Sequence, residues 1–141
     1  MELAIKNSDL FLCNESISLA HCVSEDLTMG KGIAVEFKKR FGKVEELKQQ
    51  KAMVGQVAKL KVGDRHVYYL VTKEKHNDKP NITTLKFCLR EMRDHCVAHG
   101  INELAMPKIG CGLDGLAWED VQKLIITVFK ETNIKVTIYD I

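Results

Sequence analysis

The stretch Met106-Pro107-Lys108-Ile109-Gly110-Cys111-Gly112-Leu113-Asp114-Gly115-Leu116 sets three glycines and one carboxylate between an apolar run (Leu104, Ala105, Met106) and a helix-like one (Val121, Leu124, Ile125). Strand, glycine loop and helix in that order make an anion site. Glycine, lacking Cβ, lets backbone N–H groups turn inward and approach a phosphate closely, and the positive end of the helix that follows adds attraction. A diphosphate is the natural ligand, and Asp114 beside it is a candidate catalytic acid. The letters from Gly110 to Gly115 also satisfy G-x-G-x-x-G, a dinucleotide fingerprint of the Rossmann kind. That fingerprint belongs in a first βα turn with several βα units downstream, and too little chain follows Gly115 to supply them. A plain surface loop is the bland alternative.

Working outward, short apolar runs alternate with helical periods. Leu3 to Ile5 predicts a first strand, and Ile17 to Val23, nearly all apolar, predicts one buried on both faces. Met29-Gly30-Lys31-Gly32 opens a helix with Ile33, Ala34 and Phe37 at helical spacing, stopped at Gly42. Lys43 to Lys51 reads as a short solvated helix. Val57 to Val62, Gly63-Asp64 and His66 to Thr72 read as a hairpin that delivers Lys73 to a strand end. After the polar loop Glu74 to Pro80, Asn81 or Thr83 caps a helix whose apolar positions Leu85, Leu89, Met92 and Cys96 recur until Gly100. Leu104 to Met106 is then a strand, Trp118 to Phe129 a helix, and Ile134, Val136 and Ile138 a closing strand. No repeat or linker divides residues 1–141, so a single mixed α/β domain is expected, with helices covering both faces of a central sheet.

Composition narrows the function classes. The 141 residues, 45% of them hydrophobic, suit one globular core. With 21 basic and 19 acidic residues the formal charge is +2, too close to neutral for nonspecific nucleic-acid affinity to be the main activity, so any anion must be recognised locally. Cys13, Cys22, Cys88, Cys96 and Cys111 are odd in number and form no C-x-x-C pair, which encodes neither a disulfide framework nor a zinc site. They read as reduced thiols of an intracellular protein, in cytoplasm, nucleus or both. Met1-Glu2 opens no signal peptide, and no apolar run approaches about 18 residues, so neither secretion nor a membrane is expected. A monomer without cofactor or metal is the expectation.

Ser18-Leu19-Ala20-His21-Cys22-Val23-Ser24-Glu25-Asp26, Met29-Gly30-Lys31-Gly32-Ile33-Ala34, Tyr68-Tyr69-Leu70-Val71-Thr72-Lys73 and Met106 to Asp114 follow one another in an order that resembles the terminal ADP-ribose protein glycohydrolase branch of the macrodomains. The resemblance runs from Ile5 to Ile141. It implies a macrodomain-like three-layer α/β/α sandwich around a mixed central sheet, ADP-ribose as ligand and mono-ADP-ribosylated proteins as partners. It also implies a site. Asp9, followed by Leu10, matches the aspartate that accepts from the adenine amine, with Ser8 standing where the family has glycine. Ser24 lies near the distal half of the ligand, Lys108, Ile109, Gly110, Cys111, Gly112 and Leu113 wrap the diphosphate, and Tyr139 and Ile141 border the adenine pocket. Taken alone, Asp9 is a turn residue, Ser24 a strand-end hydroxyl and Tyr139 an exposed sheet residue.

The resemblance makes Lys73 and Asp114 the catalytic pair, and their chemistry is coherent. The anomeric carbon of an ADP-ribosyl ester has oxocarbenium character that an amine can attack and retain. Lysine must be neutral to do so, and burial beside Tyr68, Leu70 and Val71 is expected to favour that form. Asp114 then moves protons at the ribose and its leaving group. In isolation, Lys73 next to Glu74 and Lys75 would be a solvated charge, and Asp114 a turn or N-cap residue. His95, Cys96 and His99 share one helix but lack the glutamate of a metalloprotease motif and a third ligand at suitable spacing, so no metal is assigned. His21 and Cys22 are adjacent in a strand and face opposite sides, so they cannot address one substrate atom. Lys38, Lys39, Arg40 and Lys43 read as helix-end charge, with a nucleic-acid surface as the lesser alternative. Three activities fit the site: hydrolysis of mono-ADP-ribose from protein carboxylates and of O-acyl-ADP-ribose, noncatalytic reading of ADP-ribose, or removal of phosphate from ADP-ribose 1''-phosphate.

Overall fold

The computed structural model describes residues 1–140, and among them six strands form one sheet: β1 (Glu2–Lys6), β2 (Ser18–Ser24), β3 (Val57–Val62), β4 (Arg65–Lys73), β5 (Glu103–Met106) and β6 (Lys135–Tyr139). Their spatial order is β1-β6-β5-β2-β4-β3. Every neighbouring pair is parallel except β3 with β4, which the Gly63-Asp64 turn joins in an antiparallel hairpin. The sheet is mixed for that reason alone.

Alternation along the central strands builds two cores. From β4, Tyr68 and Leu70 enter one face, while Val67, Tyr69 and Val71 enter the other, and all five are buried. The first core is covered by α3 (Ile82–Ala98) and α4 (Trp118–Phe129), through Leu85, Leu89, Met92, Val121, Ile125 and Phe129. The second is covered by α1 (Ile33–Phe41) and α2 (Val44–Gln49), through Phe37 and Leu47. Helix, sheet and helix thus form the three layers expected from the sequence.

Helix ends follow local chemistry. Asn81, rather than Thr83, caps α3: its side-chain oxygen accepts from Thr84 N at 2.9 Å. At the other end Gly100 turns with φ +66°, and Ile101 N donates back to Cys96 O at 2.9 Å. Lys38, Lys39 and Arg40 occupy the last turn of α1, where they complement the helix dipole. No described helix is long and apolar enough to cross a membrane.

Because β1, β2, β4, β5 and β6 run parallel, their carboxyl ends emerge on one side. Ligands of open α/β sheets bind outside those ends. Ser24, Lys73, Met106 and Tyr139 are the last residues of four of the strands, which sends the loops after them toward a common cleft.

Candidate active site

A cleft of about 700 Å³ opens there. One wall is Pro107 to Cys111 with Asp114, the second is Thr28 to Ala34, and the floor and far end are Cys22, Val23, Ser24, Lys73 and the segment His76 to Lys79. Asp114 closes the single turn Gly112–Asp114, which leads through Gly115 (φ +81°) toward α4. Lys73 Nζ donates to Asp114 Oδ1 at 2.7 Å, with side chains only 14% and 19% exposed. Screening from water is therefore weak, and the two groups share a proton-transfer contact.

This pairing replaces part of the environment expected for Lys73. Tyr68 and Leu70 belong to the opposite core, and the Tyr68 hydroxyl meets His95 Nδ1 at 2.7 Å beside α3. The nearest neighbour of the amine is a carboxylate, not an apolar wall. Asp114 is in contact to exchange a proton with the amine.

Backbone conformation shapes the loop. Gly110 is buried at φ +71°, and a Cβ there would stand 2.7 Å from Leu116 Cδ1, while Leu116 N donates to Gly110 O at 2.8 Å. The left-handed φ favours glycine, and any Cβ would also have to displace the tip of the Leu116 side chain. Gly112 also has positive φ (+64°) but is exposed, and a Cβ on it would meet nothing within 4 Å. The helix whose positive end borders the cleft is α1, not α4. Gly32 (φ +61°) caps α1 without a side-chain hydrogen bond, and Gly32, Ile33 and Ala34 line the space, whereas no residue of α4 does. Val35 N donates back to Gly32 O at 3.2 Å, and the N–H groups ahead of it at a helix start have no intrahelical acceptor, which makes that end attractive to an anion.

Of the residues assigned from sequence, Ser24, Lys73, Lys108, Ile109, Gly110, Cys111 and Asp114 meet around the cleft. Gly112 and Leu113 form the turn just beyond it. Asp9, Leu10 and Tyr139 are not among the lining residues. Asp9 caps the turn Leu10–Leu12 by accepting from Phe11 N at 2.9 Å, Leu10 is buried in the second core, and Tyr139 packs against that core. The Lys6–Tyr139 register brings these ends side by side, and Lys108 Nζ reaches Asp140 Oδ2 at 2.9 Å, which ties the cleft to that flank. Ile141 lies outside the described residues.

Sequence reasoning left the wall from Thr28 to Ala34 and the segment His76 to Lys79 out of the site. The first carried a signal, a G-x-G before a helix; the second, polar and without periodicity, carried none. Neighbouring thiols are poor nucleophiles: burial pushes Cys22 far above its usual range and raises Cys111 despite the Lys108 charge. His21 turns into the other core and stacks on Phe37 with ring centroids 3.7 Å apart. His95 and His99 stack at 3.9 Å, and His66 from β4 adds a ring 5.0 Å from His95. Among the described residues, no three metal-type ligands converge to hold an ion.

The comparisons agree with this architecture. The macro domain family profile matches residues 20–125. A Homo sapiens protein named ADP-ribose glycohydrolase OARD1 is 51% identical over 131 residues, covering 93% of this chain and 86% of that protein. The macrodomain of Mycobacterium tuberculosis DarG superposes with a TM-score of 0.87 at 23% identity, over 97% of this chain and 96% of that one, a likeness of fold. Thermosipho africanus DarTG in complex with ADP-ribose superposes with a TM-score of 0.84 at 25% identity, over 99% of this chain and 42% of that one. With the profile spanning most of the chain and half of its residues shared with a full-length relative, the protein belongs to the macro domain family.

Proposed function

We propose that this chain is a hydrolase that removes mono-ADP-ribose from glutamate and aspartate side chains of proteins and deacylates O-acyl-ADP-ribose. The observation that carries the reading is the 2.7 Å contact between Lys73 Nζ and Asp114 Oδ1 in the wall of the cleft. A binding module has no need of a partly buried amine and carboxylate in contact. The name of the human relative and the ligand in the Thermosipho africanus structure support ADP-ribose as the group held. The unpaired thiols support an intracellular setting, cytoplasmic or nuclear.

The diphosphate lies between the Gly110 loop and the α1 N-terminus, and the distal ribose extends to Lys73. As Nζ attacks the anomeric carbon, its proton passes to Asp114; the bond to the acyl oxygen breaks, and the carboxylate leaves as an anion that needs no acid. Asp114 releases the proton to solvent. It next takes one from the water that attacks the same carbon, and returns it to the departing amine, which restores the ion pair. One ester and one water give ADP-ribose, a carboxylate and one proton. An acyl group on the anomeric oxygen leaves by the same step.

Incubation with a peptide carrying glutamate-linked ADP-ribose tests the proposal. Release of ADP-ribose is expected from the native chain and none from Lys73→Ala, while Asp114→Ala is expected to accumulate an ADP-ribosyl adduct mapping to Lys73 by mass spectrometry. Undiminished turnover by Lys73→Ala would refute the amine mechanism.

A further inference from the structure

Asp26 is exposed and does not line the cleft, yet its carboxylate joins the two segments that flank Lys73. One oxygen accepts from Ser24 Oγ and from its own loop at Thr28 N, 3.2 Å away. The other accepts from His76 N at 3.1 Å, with His76 Nδ1 at 3.4 Å. His76 is three residues beyond Lys73 and 50 residues from Asp26 in sequence. The bond therefore crosses from the loop after β2 to the loop after β4. A second clamp acts beside it: the β2 register shifts between Val23 and Ser24 so that Ser24 pairs with Lys73, and Glu25 N donates to Lys73 O at 2.8 Å. Lys73 is thus held at its own carbonyl and again three residues on. Burial raises the Asp26 carboxyl, but hydrogen bonds from Ser24, Thr28 and His76 outweigh it and hold the group below the usual carboxylate range. It is an anion at neutral pH, and bonds to an anion are the stronger kind.

We propose that Asp26 is a positioning residue for Lys73, its carboxylate fixing the exit of β4 so that the amine stays on line with the reacting carbon and with Asp114. The inference rests on the reading of Lys73 as nucleophile. Asp26 touches neither the cleft nor either catalytic side chain, so it acts through the chain path it holds. In Asp26→Asn the side chain keeps its shape but loses its charge and one acceptor oxygen, so either His76 N or the Ser24 and Thr28 pair goes without an acceptor. Asp26→Glu keeps the charge and both acceptor oxygens.

Steady-state turnover of the ADP-ribosyl-glutamate peptide and calorimetric ADP-ribose affinity, measured on these variants beside Lys73→Ala, test the idea. Misplacement of a reacting group by a fraction of an ångström to about 1 Å lowers rates by about ten- to a hundredfold, so kcat of Asp26→Asn is expected to fall in that range. ADP-ribose affinity is expected to stay within about threefold, and Asp26→Glu to recover most of the lost rate. Native kcat in Asp26→Asn while Lys73→Ala is inactive would overturn the positioning role alone. Equal losses of rate and affinity would also overturn it, because a collapsed cleft rather than a displaced amine would be the cause. Full activity of Lys73→Ala would instead strike the nucleophile assignment on which the inference stands.

Discussion

One buried imidazole should make this protein sensitive to acid. His21 is fully buried on β2, stacked on Phe37 and edge-on to Tyr69, and neither ring nitrogen has a hydrogen-bond partner. Burial alone lowers its pKa from 6.5 to about 3. The unfolded chain therefore takes up a proton near pH 6.5 that the folded chain refuses until about pH 3, and between those values the unfolded state binds more protons. Stability from this group is complete above pH 6.5 and drains away as pH falls toward 3. At about 1.36 kcal/mol per unit, the drop from pH 7 to pH 4 costs about 3 kcal/mol, a large share of a typical domain's stability. Urea unfolding at the two pH values, on the native chain and on His21→Leu, isolates this amount. Depressed titrations of His66, His95 and Asp26 occur in both proteins and cancel in the difference. At pH 7 the variant loses a ring stack worth about 0.5–1.5 kcal/mol but also sheds two unpartnered buried nitrogens, so its stability should stay within about 2 kcal/mol of native. Parallel pH dependence in the two proteins would refute the assignment of acid sensitivity to His21.

Three further outcomes follow from the cleft. Lys73→Ala should abolish ester hydrolysis yet leave ADP-ribose affinity within about tenfold, or 1.4 kcal/mol, by calorimetry, because the amine acts on the reacting carbon more than on ground-state binding. Gly110→Ala should destabilise by about 1–2 kcal/mol in urea, from left-handed strain with the tip of Leu116 shifting aside, whereas Gly112→Val, equally left-handed but facing open space, should in addition weaken ADP-ribose binding; unchanged affinity in the latter would count against the loop as the phosphate site. ADP-ribose binding should persist undiminished in a strong chelator, since the anion site is built from backbone N–H groups and a helix end, and loss on chelation would reveal a metal.

What the sequence makes legible is what neighbouring residues decide together. The Asn81 cap, the Gly63-Asp64 hairpin and the two-sided burial of β2 and β4 each rest on residues a few positions apart, and periodicity reads such spans directly. The site obeys a longer rule. Lys73 and Asp114 are 41 residues apart, and Asp26 and His76 are 50 apart. No spacing relates them, because a parallel sheet brings strand ends together in an order that differs from the chain. Family resemblance supplied the first pair as a correspondence of positions. It offered nothing on the second pair, whose members look like ordinary loop residues, nor on which helix aims its positive end at the ligand. The loop rich in glycine precedes α4 in the chain, so sequence proximity nominates α4, but a single turn and three residues intervene before that helix begins, and none of its residues borders the cleft. The α1 N-terminus arrives there because β2, next to β5 in the sheet, delivers it from the other side. On the proposed reading, an anion between the two glycine segments meets one loop after β5 and one helix after β2, so substitutions at Gly32 and at Gly110 should weaken the same ligand despite the 78 residues that separate them.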